Sequence, residues 1–430
     1  MDRKHKQKNF HAGSMKRTRM LFPAHGIGAA LALAALILGA LYPAFGQSNS
    51  DGRNWVSTWL ASPADAGAQA KRIQNQTLRE IVHTTVGGHQ LRIRISNQFG
   101  QRPLRIGKVH VAVRSQGAAI VPATDRAVTF SGQASLSVPV GAIVLSDPVP
   151  FSPPPHTDLA ISIFFPEDTL ERTFHPTALQ DSYLSGPGDS TAADTIQDAT
   201  VIQTWPFLVG VDVAADTGTS IIAAFGDSIT DGTQSTPNTN RRWPDILAQR
   251  IAAHDPNDRL GVVNAGIAGN GLLFEGGGAG PAGLERFDRD VLSQPGVRSV
   301  IVLIGINDIG APGPFRPIAE KITAADLIAG YKQLIERAHE KGIKVFGATL
   351  TPILGSSPYG TPENDKVREA ANQWIRTSKQ FDGVVDFDRA VRDPSNPTQL
   401  KDIYGSLDHL HPSDPGYKAM GEAIQLSSFP

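Results

Sequence analysis

The sequence predicts two folded regions in one chain. One is an all-β region, sandwich-like or jelly-roll-like, over residues 50–216; the other is a doubly wound α/β region with a five-stranded parallel sheet over 217–430. Three observations carry this. Between Trp55 and Asp216 short runs alternate apolar and polar residues with a period of two. After residue 217 the apolar runs become nearly continuous, as parallel strands covered on both faces require. Between those later runs lie patterns of helical period, and strands alternating with helices build a parallel sheet.

The elements follow in order. Lys16, Arg17 and Arg19 precede the apolar run 26–42, and "PAFGQSNSDG" then supplies small residues and turn formers. That order reads as a secretory signal peptide over 1–46, cut before Gln47, with translation starting at Met1 or Met15. A retained membrane anchor is its rival, though the run is near the lower length limit for a span. Residues 1–46 carry seven basic residues and one acidic residue, so their removal takes the formal net charge from −1 to about −7. Such a chain has no general attraction for phosphate backbones, which argues against nucleic acid as a partner. The absence of cysteine excludes disulfides, thiolate metal sites and cysteine nucleophiles.

In the β region, residues 78–100 alternate on both sides of Gly87-Gly88, which predicts a two-residue hairpin. Leu91, Ile93 and Ile95 then share one face, and Arg92 and Arg94 the other. Further strands are expected over 108–113, 127–130, 134–138, 142–145 and 158–165. Trp55, Trp59 and Trp205 suit core or interface positions better than sugar stacking. In the α/β region the strand runs are 219–225, 261–267, 299–305, 344–351 and 383–388. The clearest helix spans 323–342, with Leu327, Ile328, Tyr331, Leu334, Ile335 and Ala338 in one stripe. Thr323 with Asp326 reads as its cap and Gly342 as its stop.

Chemistry collects at the carboxyl ends of those strands, where open α/β sheets bind ligands. The first strand runs into Gly226-Asp227-Ser228, the second into "NAGIAGNG" (264–271), the third into "GIND" (305–308), and a late loop into "DHLHPSDPGY" (408–417). A serine hydroxyl needs a base to become a nucleophile. His411 is the candidate base and Asp408 its orienting acid. The backbone N–H groups of Ser228 and Gly269 and the side-chain amide of Asn307 are candidate oxyanion donors. Asp308 reads as structural support. The triplet Gly188-Asp189-Ser190 lacks a preceding strand and reads as a loop. His409 and His411 lack the further ligands a metal would need. Asp414 and Pro415 look like the cap and first turn of the last helix. The "NAGIAGNG" glycines do not follow the G-x-G-x-x-G order of a dinucleotide loop, and "GGGAG" (276–280) reads as a loop. No G-x-S-x-G elbow surrounds Ser228.

Over residues 219–426 these segments resemble the SGNH hydrolases, the GDSL esterases and lipases, and the amino-terminal half, with "WVSTWLASP" (55–63) and "IRISNQFG" (93–100), resembles the β-rich domain of their two-domain bacterial branch. Four blocks stand in the family's order: "GDSI" with Ser228, "GIAGNG" with Gly269, Gly305 to Asp308 with Asn307, and Asp408 to Pro412 with His411. Ile229 replaces the usual leucine, and Gly266 competes with Gly269 for the donor role in the second block. The resemblance implies a flavodoxin-like five-stranded sheet and a serine esterase that needs no cofactor or metal, and the signal segment makes it an exported one, secreted or periplasmic. The catalytic residues would be Ser228, His411 and Asp408, and the oxyanion hole Ser228, Gly269 and Asn307. Short-chain acyl esters, acetyl esters of carbohydrate among them, are the expected substrates, with no nucleic-acid partner and no lasting membrane anchor. Two alternatives stay open: a lipase or phospholipase, and a glycan-binding protein with an inactive hydrolase-like domain.

Overall fold

The computed structural model describes residues 52–254, 259–275, 279–310 and 321–429. The expected signal segment, Met15 and most of "GGGAG" lie outside the described residues. The described residues form one compact unit.

The longer strands are β1 (Asn54–Leu60), β2 (Gln76–His83), β3 (Leu91–Ser96), β4 (Val109–Gln116), β5 (Ile143–Leu145), β6 (Asp158–Phe165), β7 (Ser182–Pro187), β8 (Leu208–Ala215), β9 (Ser220–Gly226), β10 (Leu260–Gly266), β11 (Val297–Leu303), β12 (Lys344–Ala348) and β13 (Gly383–Val385). In the amino-terminal region two antiparallel sheets face each other. One has the order β1-β8-β3-β5, and the other centres on β7-β2-β6-β4. Alternate residues from both sheets, Leu78 and Val82 from one and Leu91, Ile93 and Ile95 from the other, fill the space between them. The period of two therefore reports correctly which residues face inward.

The hairpin does not form. β2 and β3 lie in different sheets, so the Gly87-Gly88 segment crosses between layers instead of turning back within one. Neither glycine has the positive φ that a tight hairpin turn demands. Their lack of a side chain serves close packing: a Cβ at Gly88 would lie 2.7 Å from the Ala214 carbonyl oxygen. Trp55, Trp59 and Trp205 are all buried, and the last two meet edge to face at 5.0 Å. Gly188-Asp189-Ser190 is a loop closed by Asp189, whose Oδ1 accepts the Thr191 N–H at 3.0 Å.

The second region is a five-stranded sheet of order β10-β9-β11-β12-β13, parallel throughout. β9 has its chain neighbours on both sides, β10 on one and β11 on the other, so successive connections leave its edge in opposite directions. Open α/β sheets bind ligands outside the carboxyl ends of the strands at such a point. The covering helices include α1 (Ser228–Asp231), α2 (Trp243–His254), α3 (Gly283–Phe287), α4 (Ile306–Ile309), α5 (Ala324–His339), α6 (Pro362–Thr377), α7 (Phe387–Val391) and α8 (Asp414–Ala423). α5 begins with the Thr323–Asp326 capping box and buries Leu327, Tyr331, Leu334, Ile335 and Ala338 against the sheet. Each such aliphatic side chain contributes roughly 1.5–3 kcal/mol on burial. α8 is capped by Ser413 instead of the expected Asp414, which sits one residue inside the helix.

The two regions share one interior. Val56 and Leu60 of β1, Val86 and Val213 join the core cluster of the parallel sheet. The Ser57 N–H donates to the Pro295 carbonyl at 2.9 Å, just before β11. Gly296 next to it must be small, since a Cβ there would come within 2.6 Å of Val56.

Candidate active site

The apolar run of β9 ends where the chain must turn away from the sheet. At Gly226 a Cβ would lie 2.3 Å from the Leu303 carbonyl oxygen and 2.1 Å from Thr230 Oγ1, so only glycine fits. Asp227 caps the turn that follows, its Oδ1 accepting the Ile229 N–H at 3.1 Å. Ser228 is thereby held at the first position of α1, at the carboxyl end of β9, with 6% of its surface exposed.

The late loop brings its partner from 183 residues away. His411 Nε2 lies 2.8 Å from Ser228 Oγ. On the other side of the ring, Nδ1 lies 2.6 Å from Asp408 Oδ2. Asp408 Oδ1 accepts three further bonds, from Ser406 Oγ at 2.8 Å and from the Leu410 and His411 N–H groups at 2.9 Å. Burial opposes the charge on Asp408, but the bond from His411 and those three donors outweigh it and hold the carboxyl well below the usual carboxylate range. A neutral imidazole with Nδ1–H on this carboxylate presents its Nε2 lone pair to the serine hydroxyl.

Beyond the Ser228 N–H, the candidate oxyanion donors come from two more segments. Gly269 is exposed and takes a left-handed conformation, φ +77°, which favours glycine. Asn307 lies in α4, past Gly305 (φ +131°). Its Oδ1 accepts the Tyr359 hydroxyl at 2.8 Å and its Nδ2 donates to the Asn270 carbonyl at 3.0 Å. An amide nitrogen carries two hydrogens, so this pairing orients Nδ2 and leaves its second N–H for a ligand. The Asp308 carboxylate accepts the Leu272 and Leu273 N–H groups at 2.7 and 2.8 Å, a structural tie that fastens the glycine-rich loop to the end of β11.

Sequence reasoning missed three supports. Tyr359 had no motif around it. Arg286, almost wholly buried, reaches the Gly226 carbonyl at 2.7 Å, the Ala265 carbonyl at 2.8 Å and Asn270 Oδ1 at 2.8 Å, joining the ends of β9 and β10 to the glycine-rich loop. Burial lowers it to about 10, so it stays charged at neutral pH opposite Asp290. The third is His175, whose Nε2 lies 2.9 Å from Asp231 Oδ1. A histidine in a β run or an arginine in a short helix has no periodicity that marks it. Among the described residues no group of three or more His, Cys, Asp or Glu side chains could hold a metal ion.

Asp227 carries a pH signature. Its Oδ2 has no hydrogen-bond partner among the described residues. Burial pushes its carboxyl up to about 7 against the Ile229 N–H bond, and the charge of Asp308 adds to the rise. Between about pH 4 and 7 the folded protein keeps this proton while the unfolded chain has lost it. Stability from this group therefore falls as pH rises through that window. Three pH units at about 1.4 kcal/mol each give a contribution on the order of 4 kcal/mol. Asp227→Asn keeps the acceptor for Ile229 and removes the titration. Chemical denaturation at the two ends of the window should show the variant gaining on the wild type toward pH 7, and a difference that does not move with pH would contradict the assignment.

Residues 224–419 match the GDSL-like lipase/acylhydrolase family. No curated protein matches the chain. Several solved structures are similar to it. A protein of the G-D-S-L family from Desulfitobacterium hafniense DCB-2 is 26% identical over 49% of this chain and 98% of its own, with a TM-score of 0.36. A carbohydrate acetylesterase family member from Sinorhizobium meliloti is 14% identical over 48% of this chain and 95% of its own, with a TM-score of 0.37. The aryl esterase of M. smegmatis is 16% identical over 48% and 96%, also with a TM-score of 0.37. The family match spans Ser228, Gly269, Asn307, Asp408 and His411 together. Residues 224–419 thus carry a GDSL-like lipase/acylhydrolase domain, and the protein is a carboxylic ester hydrolase.

Proposed function

We propose that the protein is an exported serine esterase in which Ser228, His411 and Asp408 act as a catalytic triad. The observation that carries this is the unbroken hydrogen-bond chain from Ser228 Oγ through the His411 ring to Asp408. In the first step Ser228 Oγ attacks the ester carbonyl carbon while its proton passes to His411 Nε2. Asp408 stabilises the imidazolium so formed. The negative oxygen of the tetrahedral intermediate is received by the Ser228 and Gly269 N–H groups and by Asn307 Nδ2, each donor being worth about a hundredfold to a thousandfold in turnover. Collapse breaks the bond to the alcohol oxygen, which takes the proton back from His411. Water, deprotonated by the same nitrogen, then attacks the acyl-serine; the acid leaves and Ser228 is restored. No step draws on a cofactor.

The burial and hydrogen-bonding of the Tyr359–Asn307 pair support the oxyanion role. Burial, aided by the charge of Asp227, pushes the Tyr359 phenol up, so it remains a donor to Asn307 at any working pH. The basic flank and apolar run at the amino terminus support export. Within this reading the substrates are short-chain acyl esters, acetyl groups on carbohydrate among them. A fluorophosphonate should label Ser228 covalently. Turnover of p-nitrophenyl esters should fall with acyl length, and acetate should be released from acetylated xylan. A preference for long chains without acetate release would move the substrate class to lipid esters. Glycan retention without labelling or turnover would overturn the esterase reading.

A further inference from the structure

A buried histidine–aspartate pair at the end of the Ser228 turn is shared between the two regions of the chain. His175 ends a short strand, Thr173–His175, of the amino-terminal β region and is 3% exposed. Its Nδ1 lies 2.9 Å from the Ser62 carbonyl oxygen and its Nε2 2.9 Å from Asp231 Oδ1. Asp231 closes the turn that Ser228 opens and is 1% exposed. Its second oxygen, Oδ2, accepts the Ala268 N–H at 2.9 Å. Ala268 directly precedes Gly269.

Acceptors stand at both ring nitrogens. Carbonyl and carboxylate oxygens accept, so both ring nitrogens of His175 are placed to donate, an arrangement that favours the imidazolium form. Burial opposes that charge; the field and hydrogen bond of Asp231 and the Ser62 carbonyl outweigh burial and the opposing charge of Arg242, raising the His175 pKa. The ring is also packed on Trp205, centroid to centroid 5.5 Å. Asp231 has little room of its own, because Gly266 lies so close that a Cβ there would sit 2.3 Å from the Asp231 nitrogen. One rigid aspartate thus joins three things: the turn that bears Ser228, the loop that bears Gly269, and a histidine from the β region.

We propose that His175 is a positioning residue for ester hydrolysis, acting through Asp231 to hold the Ala268–Gly269 backbone in register with Ser228. This rests on the proposed roles of Ser228 and Gly269, and it assigns the β region a part in the reaction. Without His175, Asp231 is a buried carboxylate facing one N–H. With that partner gone nothing fixes the orientation of its Oδ1, and a turn of the carboxylate loosens the Ala268 bond. A donor displaced by about 1 Å can cost on the order of a hundredfold in rate. Because the loop meets the oxyanion more strongly than the ground-state carbonyl, the loss falls on kcat and spares KM.

The test compares His175→Phe, His175→Gln, Asp231→Asn and the His175→Phe/Asp231→Asn double variant on one short-chain p-nitrophenyl ester, with Ser228→Ala as reference. Phenylalanine keeps the bulk against Trp205 and removes both donors; glutamine keeps a donor for Asp231. His175→Phe should lower kcat about 10-fold to 100-fold with KM within about twofold, His175→Gln should recover most of the loss, and the phenylalanine effect should shrink in the Asp231→Asn background. A folded His175→Phe protein with wild-type kcat overturns the proposal, as does an equal loss in the phenylalanine and glutamine variants or full additivity in the cycle. If His175→Phe does not fold, Asp231→Asn decides: a lowered kcat at constant KM supports the proposal and an unchanged kcat overturns it. Should Ser228→Ala itself stay active, the underlying esterase reading fails, which is a separate result.

Discussion

Replacing Ser228 with alanine is expected to lower kcat by about 10⁴-fold to 10⁶-fold, while the protein folds as before. The size follows from what is lost. Without Oγ there is no acyl-enzyme, and the imidazole 2.8 Å away has no hydroxyl to deprotonate. The remaining backbone donors and binding contacts would account for residual activity, as they do when serine hydrolases lose their nucleophile. Oγ contributes little to packing, since Asp227, Gly226 and Arg286 shape the turn around it. Thermal unfolding should therefore change by no more than surface substitutions do, about 0.5 kcal/mol. Steady-state kinetics on a short-chain ester, with unfolding measured on the same preparation, reads both numbers. Near-wild-type turnover would remove Ser228 from the mechanism.

The second large effect is expected from Asp408→Asn, a fall in kcat of about 10⁴-fold with the loop still in place. Asparagine Oδ1 can keep the bonds from Ser406, Leu410 and His411 N–H that Asp408 Oδ1 now accepts. Its Nδ2 would then face His411 Nδ1, where the carboxylate oxygen lies at 2.6 Å. A donor at that place favours the imidazole tautomer with hydrogen on Nε2. That nitrogen then donates to Ser228 when it should accept, so the base is disabled without being moved. Asp408→Ala would also release the loop, and comparing the two variants separates tautomer control from positioning. If asparagine keeps activity within tenfold of wild type, Asp408 only shapes the loop.

The site was legible to different depths. Asp408 and His411 lie three residues apart, so their pairing has a local pattern. Ser228, Gly269 and Asn307 each follow an apolar run, and the rule that parallel strands deliver ligand-binding residues at their carboxyl ends brings them together. Tyr359, Arg286 and His175 follow no such rule. Their partners lie 52, 60 and 56 residues away along the chain, and nothing local distinguishes a histidine that meets Asp231 from one that meets solvent. The Gly87-Gly88 segment failed for a related reason. Alternation on both flanks reports which residues are buried, and it does so equally for a hairpin and for a crossing between facing sheets.

By itself the sequence determined the two kinds of strand, the capping of the helix at 324–339, and the polar residue types waiting after each parallel strand. Those properties depend on neighbours within a few residues, where backbone geometry and solvent exposure leave a period in the chain. The tertiary structure alone decided which sheet each β strand joins, that the β region reaches the end of the Ser228 turn through His175 and Asp231, and how Asn307 is oriented by Tyr359. These are contacts between distant segments, selected by the packing of whole layers, and such selection leaves no local trace for a sequence to show.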